Sequence, residues 1–276
     1  MAKIRGLFTF RGGVHPPENK EYSEQCPIEV VPTPKQTAVL LSQHLGAVCK
    51  PLVAKRDKVT AGQMIGKTDA FVSAPVHSPV NGTVRDITLL PHPVIGRTMG
   101  IIIDVDQQIT VPKQPAAGQF DKNFDPSAYS VEDICRAAQE GGLVGMGGAG
   151  FPTRVKIEPN PSMPKETLII NGCECEPFIT CDYRLMLEWT WQVLAGIRLA
   201  AKAAGVSKIR IGIEDNKPQA IGVMTEAVQS LGGTEDIQVV PVKTKYPQGG
   251  ERQLIQAILK KTVPTGSIPP ASGICV

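Results

Sequence analysis

The sequence predicts an α/β protein in which a small β-rich domain precedes a parallel-sheet domain. Three observations predict it. Residues 36 to 105 break into short β-favouring runs separated by Gly, Pro and Asn. Residues 167 to 242 alternate strand-like and helix-like segments, the pattern of a parallel sheet with crossover helices. Between them, QQITVPKQPAAGQFDKNFDPSA at 107 to 128 is polar and proline-containing, as a linker is. A chain of 276 residues has length for two cores.

The first 34 residues carry FRGGVHPPENK and VVPTPK, whose prolines fix φ and remove donors, so an extended arm wrapping another element is expected. The domain at 35 to 106 follows, with the runs AVLL, KPLVAKRDKV, MIGKT, FVSAPV, GTVRDITLL and GIIIDV. Its segment VTAGQMIGKTDAFVSAPVHSPVNGTV resembles a lipoyl- or biotinyl-type barrel-sandwich hybrid. A carrier domain would present an acceptor lysine at the hairpin tip, which here reads Thr68, Asp69, Ala70, Phe71; Lys67 beside it reads as an ordinary surface lysine.

The second domain is expected over 129 to 276. Ser130 and Asp133 suit an N-cap and its N3 partner; Val131, Ile134, Cys135 and Ala138 fall near helical spacing, and Gly141-Gly142 ends the helix. TLII at 167 to 170 reads as a buried strand, and a long helix is expected from Tyr183 to Ala204, stopping at Gly205. KIRIGI at 208 to 213 is the next strand. Asn216 is expected to cap a helix with Pro218 in its first turn, and IQVVPV at 237 to 242 follows as a strand.

Charge and composition exclude several classes. The 29 basic and 26 acidic side chains give a net charge of +3, and no Lys/Arg tract concentrates it, so no nucleic-acid partner is expected. No run approaches the ~18 to 20 apolar residues of a membrane span, and MAKIRGLFTFRGG lacks the features of a secretory signal. A cytoplasmic protein, at most peripheral to a membrane, is expected. The seven cysteines suit reduced thiols better than a disulfide framework.

Three clusters could carry chemistry. In GLVGMGGAGFPTRVK (142 to 156) the glycines leave amide N–H groups free to approach an anion, and Phe151-Pro152-Thr153 looks like entry to a helix. It is neither a Walker loop nor a G-x-G-x-x-G fingerprint, and the alternative is a plain turn. In LIINGCECEPFITCDYR (168 to 184), Asn171, Glu174 and Glu176 follow a strand, where parallel sheets bind ligands; the alternative is a solvated acidic turn. Cys173, Cys175 and Cys181 lack zinc or ferredoxin spacing, so no metal site is assigned to them. In KYPQGGERQLIQAILKK (245 to 261), Tyr246 and the turn Gly249-Gly250-Glu251 precede a helix burying Leu254, Ile255, Ile258 and Leu259. Glu251 by itself reads as a first-turn helix acid.

In this order and spacing the clusters resemble the flavin-bearing, NADH-oxidising subunit of respiratory complex I. FRGGVHPPENK, LSQHLGA, SAPVHSPVNGTV and INGCECEPFITCD narrow the resemblance to the C subunits of Rnf-type electron-transport complexes, over nearly the whole chain. The resemblance implies a Rossmann-like, FMN- and NADH-binding domain. FMN would lie against Gly145, Gly147, Gly148, Ala149 and Gly150, with Lys156 reaching the flavin or its phosphate and Asn171 touching the ring. Phe151 would border the nicotinamide nucleotide, and Glu174, Glu176 and Glu251 would hold its ribose or shape the pocket, beside Tyr246, Gly249 and Gly250. No side chain is expected to be catalytic, because hydride passes between the cofactors.

The family has arginine where Met146 stands. It also continues with a flavin-contacting segment, a ubiquitin-like domain and a ferredoxin-like region, so the second domain reads as truncated and four-iron clusters are expected only beyond residue 276. The implied partners are NADH/NAD and the other membrane and ferredoxin-like Rnf subunits, at the cytoplasmic face of the membrane. The intact parent would exchange hydride between NAD(H) and FMN and pass electrons to iron–sulfur clusters. One alternative is a flavin-free adaptor or docking subunit, and another is a soluble enzyme feeding NADH electrons to a reductase.

Overall fold

In the computed structural model, residues 8–106, 120–148, 150–232 and 235–276 are described. The chain divides into two compact units, one formed by residues 30–116 with 132–158, the other by 1–29, 117–131 and 159–276.

The first unit holds β1 (Gln36–Leu40), β2 (Lys50–Pro51), β3 (Lys58–Val59), β4 (Met64–Lys67), β5 (Val76–His77), β6 (Gly82–His92) and β7 (Gly96–Val105). They form a four-stranded sheet, ordered β1-β7-β6-β3, and a three-stranded sheet, ordered β2-β4-β5. All pairings are antiparallel. Alternation along the strands sends Val39, Leu41, Ile65, Val84, Ile101 and Ile103 into one core. Thr68 to Phe71 follow β4, as expected of the hairpin tip.

Two helices belong to the same unit: α1 (Val131–Glu140), which begins at its boundary, and α2 (Thr153–Ile157). The sequence reading groups 129–276 together, yet contacts gather 132–158 with the barrel strands. The reason lies in contacts distant in sequence. Arg154 donates to the Phe71 carbonyl at 3.1 Å and sets its guanidinium 4.8 Å from the Phe71 ring centroid, and Gln139 donates to the Ser73 carbonyl. The tip that a carrier domain would modify here anchors a helix. Most of the expected linker, 107–119, lies outside the described residues.

The second unit holds a parallel sheet ordered β10-β9-β8-β11, from β8 (Thr167–Gly172), β9 (Lys208–Glu214), β10 (Asp236–Val242) and β11 (Ile274–Cys275). Its helices are α3 (Cys181–Glu188), α4 (Thr190–Ala204), α5 (Pro218–Ser230) and α6 (Glu251–Leu259). Adjacent residues of β8 face opposite ways. Leu168 packs with Leu194 of α4 and Met224 of α5, while Ile169 packs with Leu254 and Ile255 of α6. Helices thus cover both faces, and central β9 is buried from Ile209 to Glu214.

Two local expectations are corrected. The long helix from Tyr183 is broken at Trp189, whose φ of −128° and ψ of 38° are not helical; Thr190 Oγ1 donates instead to the Met186 carbonyl. Asn216 does not cap α5, since its amide donates to Glu18 and its side-chain oxygen accepts from Lys217. The arm from Phe8 to Glu29 has one 3-10 turn, at Lys20–Tyr22, and belongs to this unit, Phe8 bridging Val242 and Val14 bridging Tyr246.

Candidate functional site

The glycine-rich loop is closed at its base. Val144 bridges Pro152, the Gly145 amide donates to the Phe151 carbonyl at 2.9 Å, and the Thr153 amide donates to the Leu143 carbonyl at 2.8 Å. Beyond this base the loop is open. A Cβ built at Gly147 or Gly148 meets nothing within 4 Å, and one at Gly145 meets only Phe151 O at 3.8 Å and Lys156 Nζ at 3.9 Å. Met146 is 93% exposed. Ala149 lies outside the described residues. Gly150 has a different job: its φ is +63°, and a Cβ there would lie 3.0 Å from the Gln43 carbonyl oxygen and 3.2 Å from His44 Cα. Only glycine lets the loop return against that turn without strain.

His44 fixes the turn. Its Nε2 accepts from the Ala74 amide at 3.2 Å, and burial holds the imidazole below its ordinary value, against a backbone hydrogen bond with Ala47. Accepting the Ala74 hydrogen bond requires an Nε2 without a proton. A cavity of about 160 Å³ at the loop's root is lined by residues that include Gln43, His44, His77 and Gly142. The expected helix after Phe151-Pro152 is present but has only five residues.

In the parallel-sheet unit, the other named residues gather at the carboxyl ends of strands. Exposed Asn171, near the end of β8, donates from Nδ2 to the Gly249 carbonyl at 2.8 Å and accepts the Cys173 amide at its Oδ1. The Gly249 amide points at Cys175 Sγ, 3.4 Å away. A Cβ at Gly249 would press on Cys173 Cβ at 3.3 Å, so the third cluster closes on the second. Gly250 precedes α6 as its cap residue; Glu251, Glu176 and Tyr246 are exposed at this end.

Glu174 departs from its expected role beside the nucleotide. It is 2% exposed, and its two oxygens accept the amides of Asp182 at 2.6 Å and Tyr183 at 3.3 Å. These are orphan donors of the first turn of α3, whose own cap residue, Thr180, makes no side-chain bond to them. Glu174 therefore caps a helix. Burial pushes its carboxyl up, opposed by the Asp182 amide.

Sequence reasoning missed a buried polar layer beneath this loop. Lys20, from the arm, donates to the carbonyls of Glu174, Glu176 and Ile179 at 2.6, 2.8 and 2.7 Å. Glu214 ends β9 fully buried; one oxygen takes Lys217 Nζ at 3.0 Å and the Glu174 amide at 2.9 Å, and the other has no partner among the described residues. Gln248 is also buried, with neither amide atom partnered among the described residues. Lys245 donates to the carbonyls of Phe10 and Gly12 and lies 3.9 Å from the Phe10 ring centroid. One signal was available: an acid closing the buried strand run IRIGI.

Among the described residues, Glu174, Cys181 and Asp182 bring potential ligand atoms within 4.8 Å of one another. The Glu174 oxygens already serve amide donors, which explains the cluster without an ion. Burial pushes the Cys173, Cys175 and Cys181 thiols up. The glycine loop, by contrast, fits a phosphate-bearing cofactor, since a Cβ built at Gly147 or Gly148 meets open space and the Lys156 ammonium lies 3.9 Å from one built at Gly145.

Comparison with known proteins gives two family matches. Residues 138–276 match the Nuo51 FMN-binding domain, and residues 8–108 match the RnfC barrel sandwich hybrid domain. The chain is similar to the C subunit of the proton-translocating ferredoxin:NAD(+) oxidoreductase complex of Clostridium ljungdahlii, at 42% identity over 98% of this chain and 57% of that protein. It is also similar to the Na(+)-translocating counterpart from Acetobacterium woodii, at 38% identity over 97% of this chain and 59% of that protein. It thus spans a little over half the length of these relatives. A solved NAD+-reducing NiFe hydrogenase is similar at 29% identity and TM-score 0.42, over 48% of this chain and 24% of that one.

Proposed function

Because this chain belongs to the Nuo51 FMN-binding domain family, with an RnfC barrel sandwich hybrid domain ahead of that segment, we propose that its parent protein is the C subunit of an ion-translocating ferredoxin:NAD oxidoreductase complex. There it exchanges electrons between NAD(H) and bound FMN and passes them to iron–sulfur clusters. The other Rnf subunits are its partners, and the cytoplasmic face of the membrane is its place; no helix among the described residues is long and apolar enough to cross a membrane.

The observation that carries this reading is the open tip of the glycine loop, where Gly147 and Gly148 present peptide groups with nothing within 4 Å of a built Cβ. Peptide N–H groups at such a tip bind the phosphoryl end of FMN, with Lys156, whose ammonium lies near Gly145, reaching the flavin or its phosphate. FMN, when bound, supplies the hydride chemistry and the change from paired to single electrons. The protein's residues bind and align. Exposed Glu176 and Glu251 accept hydrogen bonds from the hydroxyls of the nicotinamide ribose, and the strand ends serve the nucleotide in the Rossmann-like manner. Asn171 meets the flavin ring, and Phe151 and Tyr246 flank the nucleotide. Glu174 supports from beneath.

Met146 favours a second reading. A methionine 93% exposed at the tip contributes no charge toward a nucleotide, as a flavin-free docking subunit would allow. Glu176→Gln and Glu251→Gln in the protein expressed from its full coding sequence separate the two. Each is expected to raise the KM for NADH about tenfold, the loss of one charge-assisted hydrogen bond, while flavin content stays constant. Unchanged NADH affinity in both removes the nicotinamide assignment.

A further inference from the structure

The loop from Glu174 to Ile179 leaves β8 without repetitive structure, yet its backbone is fixed at every turn by the N-terminal arm. Lys20, 7% exposed, places its ammonium among the carbonyls of Glu174, Glu176 and Ile179. Three donors meet three acceptors, so the head group is satisfied without water. On the same loop the Phe178 amide donates to the Glu18 carbonyl at 2.9 Å, and Ser23 Oγ lies 3.3 Å from the Phe178 carbonyl and 2.8 Å from Thr180 Oγ1. Phe178 has a φ of 71°, a left-handed conformation that a non-glycine residue holds only when its surroundings over-determine it. Between these fixed points sits Glu176, exposed, with its own carbonyl in the grip of Lys20.

We propose that Lys20 is a positioning residue for nicotinamide-nucleotide binding: its ammonium, inserted among three carbonyls of the strand-end loop, sets where the Glu176 carboxylate stands. This rests on the assignment of Glu176 above and adds the arm as the element that builds the site. Replacing the ammonium by an apolar end leaves three carbonyls pointing at one another in a buried space, and they separate by moving the loop. Burial also draws the Lys20 amine below its ordinary value, with Lys217 adding to that and Glu174 and Glu214 opposing it.

The test uses Lys20→Met and Glu176→Gln in the protein from its full coding sequence, with amide hydrogen exchange, flavin content and steady-state NADH oxidation by an artificial acceptor. Lys20→Met is expected to speed exchange of the 175–180 amides at least tenfold. It is also expected to raise the KM for NADH about as much as Glu176→Gln does, with kcat and flavin content within about twofold of the parent, the signature of lost ground-state alignment. In Lys20→Ala, n-propylammonium is expected to restore KM in a saturable way, which a general loss of stability would not permit. Native exchange rates in Lys20→Met, or an unchanged KM while Glu176→Gln raises it, overturns the proposal. If Glu176→Gln itself leaves KM unchanged although exchange is faster, the assignment of Glu176 has failed, and the role of Lys20 in nucleotide binding falls with it. A drop in kcat, KM and flavin together, without amine rescue, also overturns it.

Discussion

The Leu45 amide donates to the Gly150 carbonyl at 3.1 Å, tying the far end of the glycine-rich loop to the turn that follows β1. The loop is thus anchored at Gly150 and open at Gly147, and the glycines within it do different work.

Gly150→Ala places a side chain at a φ of +63° and 3.0 Å from the Gln43 carbonyl oxygen. The left-handed conformation alone costs about 1–2 kcal/mol. A lowered unfolding midpoint together with weaker flavin binding is expected. Gly147→Ala meets no protein atom; it should leave thermal stability unchanged and reduce flavin binding alone. Equal melting shifts in the two variants would contradict this division.

Glu174→Ala removes the acceptor of the Asp182 and Tyr183 amides from a buried site. A loss of about 1–3 kcal/mol is expected from the unmet donors, read as a shift in the denaturant midpoint. Glu251→Ala, at an exposed first-turn position, should change stability by less than about 0.5 kcal/mol.

Lys217 and Glu214 form a buried pair at the end of β9. Lys217→Met leaves the Glu214 charge without its cation, a loss of about 3–5 kcal/mol. Adding Glu214→Gln to that variant should recover part of the loss in chemical denaturation. A double variant less stable than the single one would contradict a charge-pair origin.

His44 gives the barrel unit a pH dependence. Burial, the larger influence, lowers its folded value, so the native state binds fewer protons than the unfolded chain at pH between that value and the ordinary ~6.5. Its stabilising contribution is full above ~6.5 and declines as pH falls through the folded value. Thermal melts from neutral to mildly acidic pH should show a slope that His44→Gln reduces.

Much of this fold was legible because its signals are local. The strand runs at 167–170, 208–213 and 237–242 are rich in Ile and Val and bounded by turns, and the structure places β8, β9 and β10 there. The barrel strands followed from the same reasoning. What was hidden depends on contacts distant in sequence. Lys20 lies 154 residues from Glu174, and nothing in HPPENK tells that its lysine enters a loop of the other segment. Glu174 and Glu176 look alike in CECEP, yet one faces inward to α3 and the other faces solvent. The grouping of 132–158 with the barrel rests on Gly142 and Gly150 packing closely against Pro75 and Gln43, which composition does not encode.

The proposed function requires the glycine loop to present bare peptide donors to the phosphate of a flavin that NADH reduces. Anaerobic absorbance spectra of the protein from its full coding sequence, recorded before and after NADH, test it most directly when paired with the Gly147→Ala variant. The account predicts flavin bands that bleach with NADH in the parent protein and are weakened or lost in a variant that melts at the same temperature. A folded parent that stays colourless with added FMN, or a Gly147→Ala variant with undiminished flavin, would contradict it.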